Sequence, residues 1–380
     1  MKRSAKFILG ILVALFVLWQ VLPAYLRQAL IHQQPGIYDY QIFNNRTVGT
    51  GLSQPWELSA AYNQMQPSPA LRDSLLSMET TAFLVIQNDS ILYEYYPEGL
   101  SPETASNSFS MAKSIVGLLI GCAIADGNIE STQQGVEELL PDLPKLHGKG
   151  LRLNHLLTMS SGSSWDESYS SPFSITTEAY YGNDLQKLLQ GLQINDKPGE
   201  TFSYRSGDTQ LLAQILRNAT GRSLADYASE KLWRPLGAEH AALWSLDREN
   251  GMEKAYCCFN SNARDFARLG QLLLNKGHWK GQQLLPETYI NTALSPATHL
   301  KDEDGDTVNY YGYQIWLLQH QGENIPYLRG ILGQYIYVLP ESNAVVVRLG
   351  HRRSEIYCGA HTQDAYTWLN MARQVLKNQQ

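Results

Sequence analysis

The chain has 380 residues, 43% apolar and 17% charged, a composition that excludes a disordered chain, a collagen-like repeat and a disulfide-stapled miniprotein. Its net charge is −6. The first thirty residues hold Lys2, Arg3, Lys6 and Arg27 and no acid, so the rest carries 26 cations against 36 acids, a balance that argues against a nucleic-acid partner.

Three cations precede an apolar run from 7 to 26, interrupted only by Gln20 and Pro23. That is about the twenty residues a helix needs to cross hydrocarbon, and the cationic flank predicts a cytoplasmic amino terminus. Residues 1–30 are expected to form a single-pass anchor in the cell inner membrane, with the body outside the cytoplasm. Secretion after signal cleavage is the alternative, although Leu22 before Ala24 makes a poor small-x-small cleavage site.

Residues 31–77 are polar and turn-rich and read as a linker and packing arm. Runs 81–87 and 91–96, β-branched and aromatic, flank Asn88, Asp89 and Ser90 and predict a hairpin. Ile115, Leu118, Leu119 and Cys122 recur at helical spacing, which predicts a buried helix over 110–125 stopped at Asp126-Gly127. From 128 to 326 helical patterns alternate with loops rich in Ser, Gly and Asp. Among them Leu211, Leu212, Ile215 and Leu216 share one helix face, ended at Thr220-Gly221. A second hairpin is expected over 334–339 and 344–349, and a final helix over 362–376.

Strands near both ends with helices between them predict an α/β (α+β) fold. An antiparallel sheet flanked by helices would be completed by both halves of a domain spanning 78–380, with a mainly helical insertion over about 128–326. Cys122, Cys257, Cys258 and Cys358 form no regular framework and read as buried thiols. The nine histidines show no H-E-x-x-H and no helical pair, so no metal site is expected.

Ser110-Met-Ala-Lys113 opens the buried helix. This spacing sets the lysine one turn on, on the serine's face and within reach of its hydroxyl. A serine hydroxyl is a weak nucleophile until a base takes its proton, and a lysine in a low-dielectric setting suits that task. Tyr204 and Ser206 lie on a loop after a Pro198-Gly199 turn, where a phenol beside an ammonium can pass a proton to a leaving group. Downstream, Gly330-Ile-Leu-Gly333-Gln334 leads into a strand, and its glycines permit close backbone approach to a ligand. An amide from this segment, with that of Ser110, would make an oxyanion hole.

In this order and at these separations, Ser110-x-x-Lys113, Tyr204-x-Ser206 and the 330–334 segment resemble the serine β-lactamase and penicillin-binding protein superfamily. Leu156-Leu-Thr-Met-Ser-Ser-Gly162, Trp165-Asp-Glu-Ser-Tyr169, Pro198-Gly199-Glu200, Trp233-Arg-Pro-Leu-Gly237 and Asn262-Ala-Arg-Asp-Phe-Ala-Arg268 are similar to its esterase and amide-hydrolase branch, especially the 6-aminohexanoate-dimer hydrolases. The similarity spans roughly 80 to 350. It implies a β-lactamase-like fold with Ser110 as acylated nucleophile, Lys113 as base and Tyr204 as proton shuttle. The amides of Ser110 and Ile331 would form the oxyanion hole, and Tyr169, Ser206, Gly330, Gly333 and Gln334 would bind substrate. Two positions depart from the penicillin-recognising pattern: Leu328-Arg329 stands where a Lys or His opens the third motif, and Ser206 replaces an asparagine. A cationic contact for a β-lactam carboxylate then falls to Arg329, if to any residue.

The expectation is therefore an exported serine hydrolase acting on a small ester, amide or short peptide-like substrate, without metal or organic cofactor. Its alternatives are a D-amino-acid carboxypeptidase, a weak β-lactamase, or a penicillin-binding-like module without turnover.

Overall fold

The computed structural model describes residues 2–65 and 68–377. In chain order its principal elements begin with helices α1 (Lys2–Val21) and α2 (Ala24–His32) and strands β1 (Asn45–Val48), β2 (Glu57–Leu58), β3 (Thr80–Gln87), β4 (Ser90–Tyr95) and β5 (Ser106–Asn107). Helices α3 (Met111–Ala125), α4 (Ile175–Tyr181) and α5 (Ser206–Thr220) follow, then β6 (Ala242–Ser245), β7 (Phe259–Ser261) and α6 (Ala263–Leu274). The chain ends with β8 (Trp316–His320), β9 (Glu323–Gly330), β10 (Gln334–Leu339), β11 (Ala344–Gly350) and α7 (Gln363–Lys377).

Seven strands form the main sheet in the order β8-β9-β10-β11-β3-β4-β2. Every pairing is antiparallel except that of β2 with β4. The two predicted hairpins meet at its centre, where Val346 faces Val85 and Val347 faces Leu84. Period-two alternation sorts the strands' side chains onto two covered faces. Leu84, Ile86, Ile336, Val338, Val345 and Val347 join one core, while Phe83, Val85, Tyr335, Tyr337 and Val346 join the other beneath Trp368, Leu369 and Ala372 of α7. Gly270 of α6 sits so close to the first face that a Cβ there would lie 2.5 Å from Val345 Cγ1 and 2.8 Å from Ile336 Cγ2.

Two expectations need correction, on the amino-terminal run and the cysteines, and two others gain detail. The apolar amino-terminal run is not one continuous helix: it breaks after Val21, because Pro23 lacks an N–H and disfavours helix in the residue before it, and α2 leaves at 114° to the preceding segment. No single helix among the described residues is long and apolar enough to cross a membrane, although the bent pair passes by length and composition together. The arm over 31–77 is woven into the body: β1 pairs with β6, and Ile37 and Val48 are core residues. The region 128–326 also contributes β6 and β7 to a second sheet of order β1-β6-β7-β5, and β8 to the edge of the main one. Finally, Cys257 and Cys258 are joined to each other, and of the two free cysteines only Cys122 is buried while Cys358 is exposed.

The helix after the Pro198-Gly199 turn runs as expected to Thr220, with Gly221 in the left-handed conformation closing it. Asp208, in its first turn, accepts hydrogen bonds from Ser161 and Ser163 and so ties the 156–162 segment to α5. Its Oδ2 has no partner among the described residues, and burial pushes its carboxyl up to about 7.

Two measurements test this packing. Gly270→Ala should cost about 1–3 kcal/mol by overpacking, read as a lower urea midpoint; an unchanged midpoint would mean that α6 moves off the sheet without penalty. Because the folded carboxyl of Asp208 binds its proton more tightly than an unfolded one near 3.9, its stabilising contribution is complete below about pH 4 and is lost as pH rises towards 7. Asp208→Asn should flatten that part of the stability profile, measured as the melting temperature difference from wild type at pH 4 and pH 7.

Candidate active site

A strained turn presents the first motif. Phe109 is buried with φ of 43°, a left-handed conformation unfavourable for a bulky residue. It is held there because its N–H donates to Asn107 Oδ1 and the Ser108 N–H donates to Phe259 O. Ser110 is consequently placed at the amino-terminal cap of α3, where the helix dipole favours negative charge.

Lys113 lies one turn further on, at 1% exposure. Its ammonium has three protons and finds three acceptors: Ser110 Oγ at 3.2 Å, Ser206 Oγ at 3.0 Å and the Tyr256 carbonyl at 2.9 Å. The third acceptor belongs to a loop locked onto α5, where Gln210 Nε2 donates to Glu253 O and Gln210 Oε1 accepts from the Ala255 N–H. Neighbouring Lys254 is also buried, donating to Ala179 O, and burial lowers its pKa to about 7. The face of Tyr204 completes the surroundings, its ring centroid 5.0 Å from Lys113 Nζ, and Trp316 and Tyr311 pack against that ring.

Ser206 passes the network on. Its hydroxyl accepts from Lys113 and donates to Glu167 Oε1 at 2.7 Å, while its N–H donates to Glu167 Oε2 at 2.6 Å. The Tyr169 hydroxyl donates to the same carboxylate. Glu167 therefore links two residues named from the sequence, yet its own role was not read there. It lies inside the Trp165–Tyr169 motif, and its side-chain partner Ser206 is 39 residues away.

The downstream glycine segment turns between β9 and β10 as a short 3₁₀ turn, Ile331–Gly333. Gly330 is required because a Cβ would fall 2.3 Å from Ser108 O, so only glycine lets the strand end lie against the turn that carries Ser110. Both Ser110 and Ile331 line one cleft, and neither N–H has a hydrogen-bond partner among the described residues. Two unpaired amides at a nucleophile are what an oxyanion hole requires.

Three residues expected to bind substrate lie elsewhere. Gly330 faces Ser108; Gly333 packs under Arg348, whose Nη1 donates to Leu332 O and Gly333 O; Gln334 exchanges hydrogen bonds with Gly350. None of the three lines the cleft, and all shape the turn that carries Ile331. Tyr169 and Ser206 do line it. Arg329 stacks on Trp316 at 3.4 Å and donates to Ala360 O, away from the cleft, and Leu328 is buried in the core. Instead the cleft has Arg353 in its wall, bonded to the Tyr357 hydroxyl. Among the described residues no group of three or more His, Cys, Asp or Glu is placed to hold a metal.

Comparisons with known proteins place the chain in a family. The family model described as Beta-lactamase matches residues 73–365. The 6-aminohexanoate-dimer hydrolase of Paenarthrobacter ureafaciens is 28% identical over 297 residues, covering 74% of this chain and 75% of that protein. Among solved structures, a Bacillus anthracis protein named for the 6-aminohexanoate-dimer hydrolases superposes with a TM-score of 0.71 at 22% identity, over 90% of this chain and 92% of its own. A family VIII carboxylesterase gives 0.64 at 15% identity, over 84% and 99%. The chain belongs to the beta-lactamase family, within the superfamily of serine β-lactamases and penicillin-binding proteins.

Proposed function

We propose that this protein is a serine hydrolase that cleaves ester or amide bonds through an acyl-enzyme on Ser110. The observation that carries the reading is the Lys113 side chain, bonded at once to the Ser110 and Ser206 hydroxyls in a buried setting. In its neutral form Lys113 takes the proton from Ser110 Oγ as that oxygen attacks the carbonyl carbon. The developing oxyanion is received by the amides of Ser110 and Ile331. The proton passes to the leaving oxygen or nitrogen through Tyr204 or Ser206, and water then hydrolyses the acyl-enzyme by the reverse proton path. Glu167 orients Ser206 and supplies negative charge near the ammonium. Relatives named as hydrolase and carboxylesterase support the reaction class.

The body is proposed to be exported and held at the membrane by its bent amino-terminal helix pair, whose residues from Phe7 to Val21 are apolar except Gln20 and largely exposed. The Cys257–Cys258 bond supports an oxidising compartment.

Ser110→Ala should abolish covalent labelling by a fluorophosphonate, and an alanine variant with wild-type turnover would overturn the nucleophile assignment. Lys113→Ala and Tyr204→Phe should each lower the rate by about 10²–10⁴, and the double variant should lose far less than the product of the two. Multiplicative losses would show that the two side chains act independently.

Esters and linear amides should be hydrolysed with higher kcat/KM than benzylpenicillin, because Leu328 offers no cation and Arg329 is engaged with Trp316 and Ala360. A charge-assisted hydrogen bond contributes about 1.5–3 kcal/mol, so its loss weakens carboxylate binding by about ten- to a hundredfold. Efficient penicillin turnover that collapses in Arg353→Ala would move the preference to β-lactams.

A further inference from the structure

The cleft at Ser110 has a volume of about 500 Å³ and is walled on its outer side by residues that precede the catalytic domain. Ala29 and Leu30 of α2, then Gln33, Gln34 and Pro35, line it together with Pro172, Thr176, Tyr180 and Tyr181 of the segment on which α2 packs. The helix is fixed in that position: Leu26 is buried and the His32 ring stacks on Tyr181 at 6.1 Å. Arg353 is the one charged side chain among the described lining residues. Leu30, in the lining, is 57% exposed, and so are Phe173 at 75%, next in sequence to the lining Pro172, and Tyr357 at 51%, whose hydroxyl accepts from the lining Arg353. A folded soluble surface seldom gathers such groups at the entrance of a site without a ligand for them.

We propose that the cleft lined by α2 and the 170–181 segment holds the hydrocarbon chain of an amphiphilic ester or amide, whose scissile carbonyl reaches Ser110. The inference rests on the hydrolase reading and adds a substrate class to it. Continuity of the chain favours this occupant: α1, largely exposed from Phe7 to Val21 and apolar there except at Gln20, is separated from α2 by two residues. The segment proposed to meet the bilayer thus leads directly into the cleft wall, and an amphiphile leaving the bilayer would enter beside Leu30.

The test is a chain-length profile of the full-length protein with two ester series, p-nitrophenyl acetate to decanoate and the acetates of ethanol to decanol. Each methylene buried contributes about 0.8 kcal/mol, or about fourfold, so kcat/KM should rise at least tenfold along one series, and which series rises shows on which side of the carbonyl the chain lies. Ala29→Trp, which fills the cleft, should lower the decanoate to acetate ratio, or its alcohol-series equivalent, at least tenfold. Leu30→Asp, at an exposed position that tolerates polarity, should do the same if the tryptophan variant fails to fold. Flat profiles in both series, with Ser110 still labelled by fluorophosphonate and acetate still hydrolysed, would overturn the amphiphile proposal and leave the hydrolase reading intact. Absence of labelling and of turnover with every ester would instead defeat the hydrolase reading.

Discussion

The buried ammonium of Lys113 is the constraint to which the rest of the site is fitted. A charge at this depth is tolerable only if each of its protons is accepted, and the three acceptors come from three separate parts of the chain: the head of α3, the head of α5 and the carbonyl of Tyr256. The same three bonds that satisfy the charge bring the two hydroxyls together on either side of the amine. Structural need and chemical function are met by one geometry. Glu167 extends it by accepting both the N–H and the O–H of Ser206, which fixes the direction of the Ser206 lone pair presented to Lys113.

Another buried cation, Arg348, holds the turn that carries Ile331. Arg348 projects from β11 and donates to Leu332 O, Gly333 O, Arg352 O, Met78 O and Thr80 Oγ1, with Trp368 under its guanidinium at 4.8 Å. It pins the Ile331–Gly333 turn to the centre of the main sheet. Because that centre is made by pairing β11 with β3, the position of the Ile331 amide depends on strand pairing between residues far apart in sequence. The glycines of the segment serve the same end. They make room for Ser108 O and for Arg348, while Ile331 and Leu332 line the cleft.

The amino-terminal helices join location to chemistry. Pro23 turns what composition alone reads as one span into two helices, and the second returns to the body to complete the cleft. A proline break of this kind costs little where it falls between helices, and here it lets Ala29 and Leu30 line the cleft. The lining is accordingly more apolar than Ser110, Ser206 and their polar neighbours would make it.

Much of this was legible in the sequence because it depends on local periodicity. The hairpin over β3 and β4 follows from alternating β-branched and aromatic residues around Asn88-Asp89, which both take positive φ. The buried α3 follows from its continuous apolar run, and the Ser110 to Lys113 contact from helical spacing alone. The family resemblance pointed to Ile331, which lines the same cleft as Ser110. What only the tertiary structure decided are relations between positions with no local signature: Glu167 beneath Ser206, the carbonyl of Tyr256 beneath Lys113, Arg348 behind the oxyanion turn, and α2 as the cleft wall. Backbone acceptors carry no side-chain signal in sequence, and a glycine that faces a ligand reads the same as one that faces Ser108 O. The bond between Cys257 and Cys258 was missed because adjacent cysteines ordinarily read as separate thiols, whereas here Cys258 adopts a φ of 67°. Local pattern specified the pieces and the Ser110 to Lys113 pair, and long-range contacts of buried cations such as Lys113 and Arg348 decided how they meet.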